Sequence, residues 1–288
     1  MKTRVSAAAL AVLAGLVVIS TIGWLKGTAP EAGAQAGPPE EGRAVPEATD
    51  AAGAGSTEDE SPPALPLPVV RTVTMRSITR QGIMDLAYGA GFLWGLDGGA
   101  REPRHFVVRI RPRDGAILQQ FPAPNQLRFF GDGSQSLAFA EGRLWVLNFF
   151  DDLVYEMLPG RLLGMIGAPR TDVTSGLGFD GTHLWYGQSE TRGTSGGALL
   201  RQMRTNGEIL KGIRVPFRFV NDIAFVRGAM FVSGSDSPGS GYFIYQVHSG
   251  TGRILRRFQK RPCEYGLAFD GVYLWSGDWC RHQYRLYR

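Results

Sequence analysis

Five times along the chain, apolar residues flank a small one, a glycine follows, and an apolar-aromatic pair closes the pattern: LAYGAGFLW (86–94), LAFAEGRLW (137–145), LGFDGTHLW (177–185), IAFVRGAMF (223–231) and LAFDGVYLW (267–275). Successive copies begin 51, 40, 46 and 44 residues apart. Two short apolar runs around a glycine read as a β-hairpin. Asp180-Gly181 and Asp270-Gly271 predict two-residue type I′ turns, while Gly91, Gly142 and Gly228, one place later, predict three-residue turns ending in a bulge.

A second hairpin follows each copy. Its first strand reads FVVRI (106–110), LVYEM (153–157), LLRQM (199–203), FIYQV (243–247) and YRLY (284–287), and four closing strands carry leucines at 118, 163, 210 and 255. Four strands per repeat of about 40–50 residues are the pattern of β-propeller blades. Inner strands that are apolar on both faces fit blades sandwiched between neighbours. The fifth repeat ends at Arg288 without a fourth strand, and an unmatched strand-like segment, LPVVRTVTM (67–75), precedes the first. The expected fold is all-β, a five-bladed propeller whose N-terminal strand completes the last blade. The competing arrangement is an unclosed solenoid.

Ahead of the propeller lie two segments of different character. Between Arg4 and Lys26 the chain is uncharged for 21 residues, long enough for one membrane-spanning helix. Residues 1–26 therefore read as an N-terminal anchor, or as a signal segment cleaved near Ala34-Gln35-Ala36. Both export the remainder, tethered at a bacterial-type cell membrane on the extracytoplasmic (periplasmic) side or, after cleavage, secreted. Residues 27–68 are rich in Pro, Ala, Gly and Glu and read as a disordered linker. The three parts, 1–26, 27–68 and 69–288, carry net charges of +3, −7 and +9, so the chain's +5 hides a basic exported domain.

The repeats resemble the five-bladed propellers of the plant-type glutaminyl cyclase group and, more loosely, NHL-like and streptogramin-lyase-like repeat proteins. The resemblance spans 69–288 and rests on GLAFDG-x-x-LW, a glycine turn and an I-L-x-x-F strand. It implies cyclisation of N-terminal glutamine with loss of ammonia, a proton-transfer task for carboxylates in an aromatic pocket. Glu264, Asp222 and Trp279 are the residues that fit such roles. The family's Glu-Gly-Leu and Glu-Ser-Thr-Gly segments are not matched: Glu264-Tyr265-Gly266-Leu267 carries an extra tyrosine.

Ligands of propellers bind at one end of the central channel, on loops entering the first strand and leaving the second. Here the entrances carry Asp85, Gln135, Ser136, Thr174, Ser175, Asn221, Asp222, Glu264 and Tyr265, and the exits Asp97, Asn148, Gln188, Asp236, Asp278 and Trp279. This polar face suits a protein or a polar small-molecule ligand; the plainer explanation is a water-filled channel. The expected function is a binding or scaffolding module, with glutaminyl cyclisation second and a lactonase-like metal hydrolase third. No cofactor is expected, though Asp222 and Asp278 offer a place for a divalent cation.

Cys263 and Cys280 flank the last inner hairpin, which brings them close enough for a disulfide in an oxidising compartment. With Asp278 and His282 they alternatively compose a zinc-type ligand set. A basic run, Arg253, Arg256, Arg257, Lys260, Arg261, Arg281, Arg285 and Arg288, gathers near the last blade and suits anionic lipid or an envelope polymer, or is simply solvated. Export argues against nucleic acid.

Overall fold

The computed structural model describes residues 62–80, 82–98, 104–124, 134–148, 153–168, 173–189, 197–237, 240–261 and 263–288. The expected anchor and most of the expected linker lie outside these residues. No helix of the described residues is long and apolar enough to cross a membrane.

The strands form five sheets. Blade I holds β3 (Ile83–Gly89), β4 (Phe92–Asp97), β5 (Phe106–Arg111) and β6 (Ala116–Pro122); blade II holds β7 (Ser134–Ala140), β8 (Arg143–Asn148), β9 (Leu153–Leu158) and β10 (Arg161–Gly167). Blade III is β11 (Val173–Phe179), β12 (Leu184–Ser189), β13 (Ala198–Met203) and β14 (Ile209–Val215). Blade IV is β15 (Phe219–Val226), β16 (Ala229–Ser237), β17 (Ser240–Val247) and β18 (Ile254–Gln259). Blade V joins β19 (Glu264–Phe269), β20 (Leu274–Asp278) and β21 (Gln283–Tyr287) to the N-terminal strand β2 (Val69–Thr74), antiparallel to β21. The ring is closed as the unmatched termini predict.

Each pair of neighbouring blades encloses one apolar core. Trp94, Trp145, Trp185 and Trp275, from the second strands of blades I, II, III and V, are each buried against the next blade. Between blades IV and V, Phe231 occupies that place. Closure matters energetically because it leaves no blade with an exposed apolar face.

Two details depart from the sequence pattern. The inner turns are reversed: Ala90-Gly91, Glu141-Gly142 and Arg227-Gly228 are two-residue turns with positive φ at both positions. At Asp180 and Asp270 the connection spans four residues instead. The reason is the aspartate, whose Oδ1 accepts the backbone N–H groups two and three residues on and whose Oδ2 accepts the indole N–H of Trp185 or Trp275. Second, Ala64–Pro66, inside the segment read as linker, forms β1, parallel to β18 on the outer edge of blade IV. Leu67 then packs between blades IV and V, so one N-terminal segment spans both blades.

Candidate functional site

Every inner strand carries a bulge near its start, falling on Met84, Gln135, Gly176, Asn221 and Gly266. The residue before the repeated Leu or Ile is then Asp85, Ser136, Gly176, Asp222 or Gly266. An innermost strand has no neighbour on its channel side, so its N–H groups there need other acceptors. Three side chains supply them. Asp85 Oδ2 accepts from Leu137 N at 2.5 Å and Ser136 Oγ at 2.7 Å, and Asp85 also accepts from Leu86 N. Ser136 Oγ accepts from Leu177 N at 2.7 Å; Asp222 accepts from Ile223 N at 2.7 Å and from Leu267 N.

The two glycines in this ring make room for the aspartates. A Cβ on Gly266 would lie 2.8 Å from Asp85 Cα, and one on Gly176 3.1 Å from Asp222 Cα; both glycines have positive φ. Asp85 and Asp222 are thereby pressed together, fully buried, at the end of the channel. Burial raises Asp85 to about 6. Burial, and then the charge of Asp85, raises Asp222 well above the carboxylate range, so the pair shares a proton at neutral pH.

Below this lid lies a cavity of about 80 Å³ between the five inner strands, lined by Leu86, Leu137, Leu177, Ile223 and Leu267 and by the aromatic residues two places after them. At this end of the channel the side chains of Asp85, Ser136 and Asp222 are bonded to inner-strand backbone.

Most exit residues also face inward. Asp97 accepts from Ser77 Oγ at 2.9 Å, Ile78 N at 2.6 Å and Thr79 Oγ1 at 2.5 Å, clamping the segment that links β2 to β3. Asp278 accepts from Arg285 Nη2 at 2.7 Å and Arg281 Nη1 at 3.2 Å; Glu264 accepts from Tyr287 Oη at 2.9 Å and pairs with Arg285 Nη1 at 3.1 Å. Both carboxylates are fully buried. Gln188 accepts from Arg201 Nε at 2.6 Å, and Asn148, Thr174 and Ser175 are buried. Asp236, exposed, accepts from Tyr245 Oη at 3.2 Å. The side chain of Gln135 lies outside the described residues.

Cys263 and Cys280 form a disulfide, which uses both thiols and removes the alternative zinc set. Among the described residues no three His, Cys, Asp or Glu side chains form a group able to hold a metal ion, and Asp222 and Asp278 belong to separate networks. The disulfide ties the loop entering β19 to the loop leaving β20, backed by Trp279 N donating to Cys263 O at 3.2 Å.

The basic run divides. Arg253, Arg256 and Arg257 lie on or beside β18 of blade IV, with the Arg257 guanidinium over the Phe243 ring. Arg253, Arg256, Arg261, Arg281 and Arg288 are exposed. Arg285 and Lys260, counted with the surface run, are buried, a correction explained for Arg285 by β21 lying between β20 and β2 with both faces covered, and for Lys260 by the inward turn after β18.

Lys260 is the candidate residue that charge counting misplaced. Its Nζ donates to Ser233 Oγ at 2.5 Å and sits 5.6 and 5.2 Å from the ring centres of Tyr242 and Tyr265. Burial lowers it to about 8, against the opposing pull of Glu264 and Asp222. Tyr265 in turn lies 6.5 Å from the Trp279 ring. Asn221 Nδ2, on the bulge of β15, and Trp279 Nε1, just after β20, are among the buried donors with no acceptor in the described residues.

No family model matches the chain, and no curated protein sequence matches it. Among solved structures, the glutaminyl cyclase of Myxococcus xanthus superposes with a TM-score of 0.57 at 13% identity, covering 78% of this chain and 98% of that one. Virginiamycin B lyase of Staphylococcus aureus gives 0.42 at 17% identity over 72% of this chain and 67% of its own. The WD40 propeller domain of Doa1 gives 0.46 at 11% identity over 72% and 64%. The first likeness shows a shared fold, as the repeat motifs imply.

Proposed function

We propose that this chain is a membrane-tethered, extracytoplasmic propeller that binds a carbonyl-bearing polar ligand, a peptide segment or a small carboxamide, at the mouth formed by blades IV and V. The observation that carries this reading is a pair of buried donors without an acceptor among the described residues, Asn221 Nδ2 of blade IV and Trp279 Nε1 of blade V, in the blades that also hold the Lys260 amine. A buried donor without an acceptor costs about 1–3 kcal/mol, which a ligand oxygen recovers. Tyr242, Tyr265 and Trp279 supply the flat apolar walls that orient such a group.

Thermal melting of the purified chain with peptide carboxamides tests this. Ligand at 100 times its Kd adds roughly 2.7 kcal/mol of stability. Wild type should gain, and Asn221→Leu should gain far less; a wild-type melting point that no carboxamide moves rejects the reading.

Cyclisation of N-terminal glutamine is the second reading. It is favoured by two groups poised near neutrality, Lys260 at about 8 and Asp85 at about 6. Glu264 serves it less well, being held by Arg285 and Tyr287. Ammonia released from glutamine-led peptides, and lost in Lys260→Met, is the result this reading requires.

A further inference from the structure

The stretch from Val69 to Arg288 has 27 basic side chains, of which 25 are arginine; the lysines are Lys211 and Lys260. Where this propeller needs a buried cation to hold carboxylates it uses arginine, as Arg285 does for Glu264 and Asp278. The guanidinium keeps its proton and offers a fork matched to a carboxylate. Lys260 does neither job. Glu264 and Asp222 reach it through space without a hydrogen bond, and its one bonded partner is neutral Ser233. A lysine in that setting offers what arginine cannot, an amine able to lose its proton and present a lone pair.

Burial pushes the amine toward its neutral form, lowering it to about 8, while Glu264, Asp222 and the two tyrosine faces pull the other way. Lys260 is 2% exposed, its Nζ lies near the rings of Tyr242 and Tyr265, and half-buried Trp279 lies next to Tyr265. The charged and titratable groups facing it are Asp222 on β15, Glu264 on β19, Tyr242 on β17 and Tyr265 on β19, with Asp85 of blade I bonded to Asp222. Asp222 lies opposite Ser233 in the β15–β16 pair, so a shared carboxyl proton is held beside the amine's own partner.

We propose that Lys260 is a nucleophile that captures a planar aldehyde at the mouth of the channel as an imine on Nζ. The neutral Nζ lone pair forms the C–N bond while the carbonyl oxygen takes the proton of the Asp85–Asp222 pair, and the nitrogen then returns a proton to that pair. The pair next protonates the hydroxyl, which leaves as water as the C–O bond breaks, and recovers the iminium proton. One amine and one aldehyde give one imine and one water, with no oxidant or reductant. The inference rests on the mouth being the ligand site and adds a covalent step to it.

Benzaldehyde with cyanoborohydride, which reduces an imine to a stable secondary amine, tests this on the full chain by peptide mass mapping. The expected result is one adduct at Lys260, formed at least tenfold faster than at exposed Lys211, with a rate that rises through a midpoint near 8. Asp85→Asn should slow it about tenfold without moving the adduct. Labelling of Lys211 with Lys260 untouched from pH 6 to 10 overturns the proposal and leaves Lys260 as a structural cation. If the carboxamide melting shift persists in that case, only the covalent step fails; if it too is absent, the mouth is not the ligand site.

Discussion

Asp85 shows how one residue is both structural and chemical. It accepts three backbone or hydroxyl hydrogens that an inner strand would otherwise leave bare, and it shares a proton with Asp222. Its pKa is raised, so between about 3.8 and 6 the fold holds a proton that the unfolded chain has released. Stability therefore falls as pH rises through that window, by roughly 3 kcal/mol, and the penalty is complete above it. Asp85→Asn keeps an acceptor for Leu137 N and removes the charge. Guanidinium unfolding should show it about 1–3 kcal/mol more stable than wild type at pH 7, with the gain shrinking toward zero by pH 4. An equal gain at both pH values would mean that burial does not raise Asp85. At this scale the sequence was partly legible. Spacing from the repeat marked Asp85, Asn221, Asp222 and Trp279 as mouth residues, because the entrances of the first strand and the exits of the second recur at fixed positions. Lys260 was not legible: a run of basic residues says nothing about where the chain turns inward, and the turn after Gln259 decides it.

At the level of elements, the bulges set the site. Each adds a residue to an inner strand and frees the next N–H toward the channel, and Gly176 and Gly266 let the following blade's aspartate approach. Gly266→Ala places a methyl group against the backbone of Asp85 in a left-handed conformation and should cost about 2–4 kcal/mol, read as a lowered melting temperature. The bulges themselves were invisible in the pattern, since an extra residue in a strand leaves the apolar repeat intact on either side. The turns were misread for a related reason: glycine position alone does not reveal that Asp180 and Asp270 cap the loop and hold a tryptophan. The disulfide was legible from the hairpin. It closes a loop with a sequence separation of 17, and Cys263→Ser with Cys280→Ser should cost about 3 kcal/mol in denaturant unfolding and loosen the loops that carry Glu264 and Trp279.

Across the whole molecule, closure rests on strand β2, and the clamp of Asp97 on residues 77–79 holds its connection to blade I. A chain beginning at Arg76 lacks the fourth strand of blade V and should aggregate on expression, whereas one beginning at Leu67 loses only β1 and should remain soluble, as size-exclusion chromatography would report. The ring was the most legible feature, because five copies of one pattern and two complementary defects at the ends admit few other topologies. The proposed tether leaves from the outer edges of blades IV and V, where Arg253, Arg256 and Arg261 are exposed. Reversing those three charges should weaken sedimentation with anionic liposomes, and an unchanged yield in the pellet would remove lipid as a partner of this surface.

The account depends most on the mouth between blades IV and V being where ligand sits. Hydrogen–deuterium exchange of the full chain, with and without a saturating peptide carboxamide, locates that site directly. The expected result is slowed exchange confined to residues 219–223, 260–267 and 278–281. Slowing at the outer strands β6 or β10, or around Asp180 and His183 between blades III and IV, with the mouth unchanged, would contradict it.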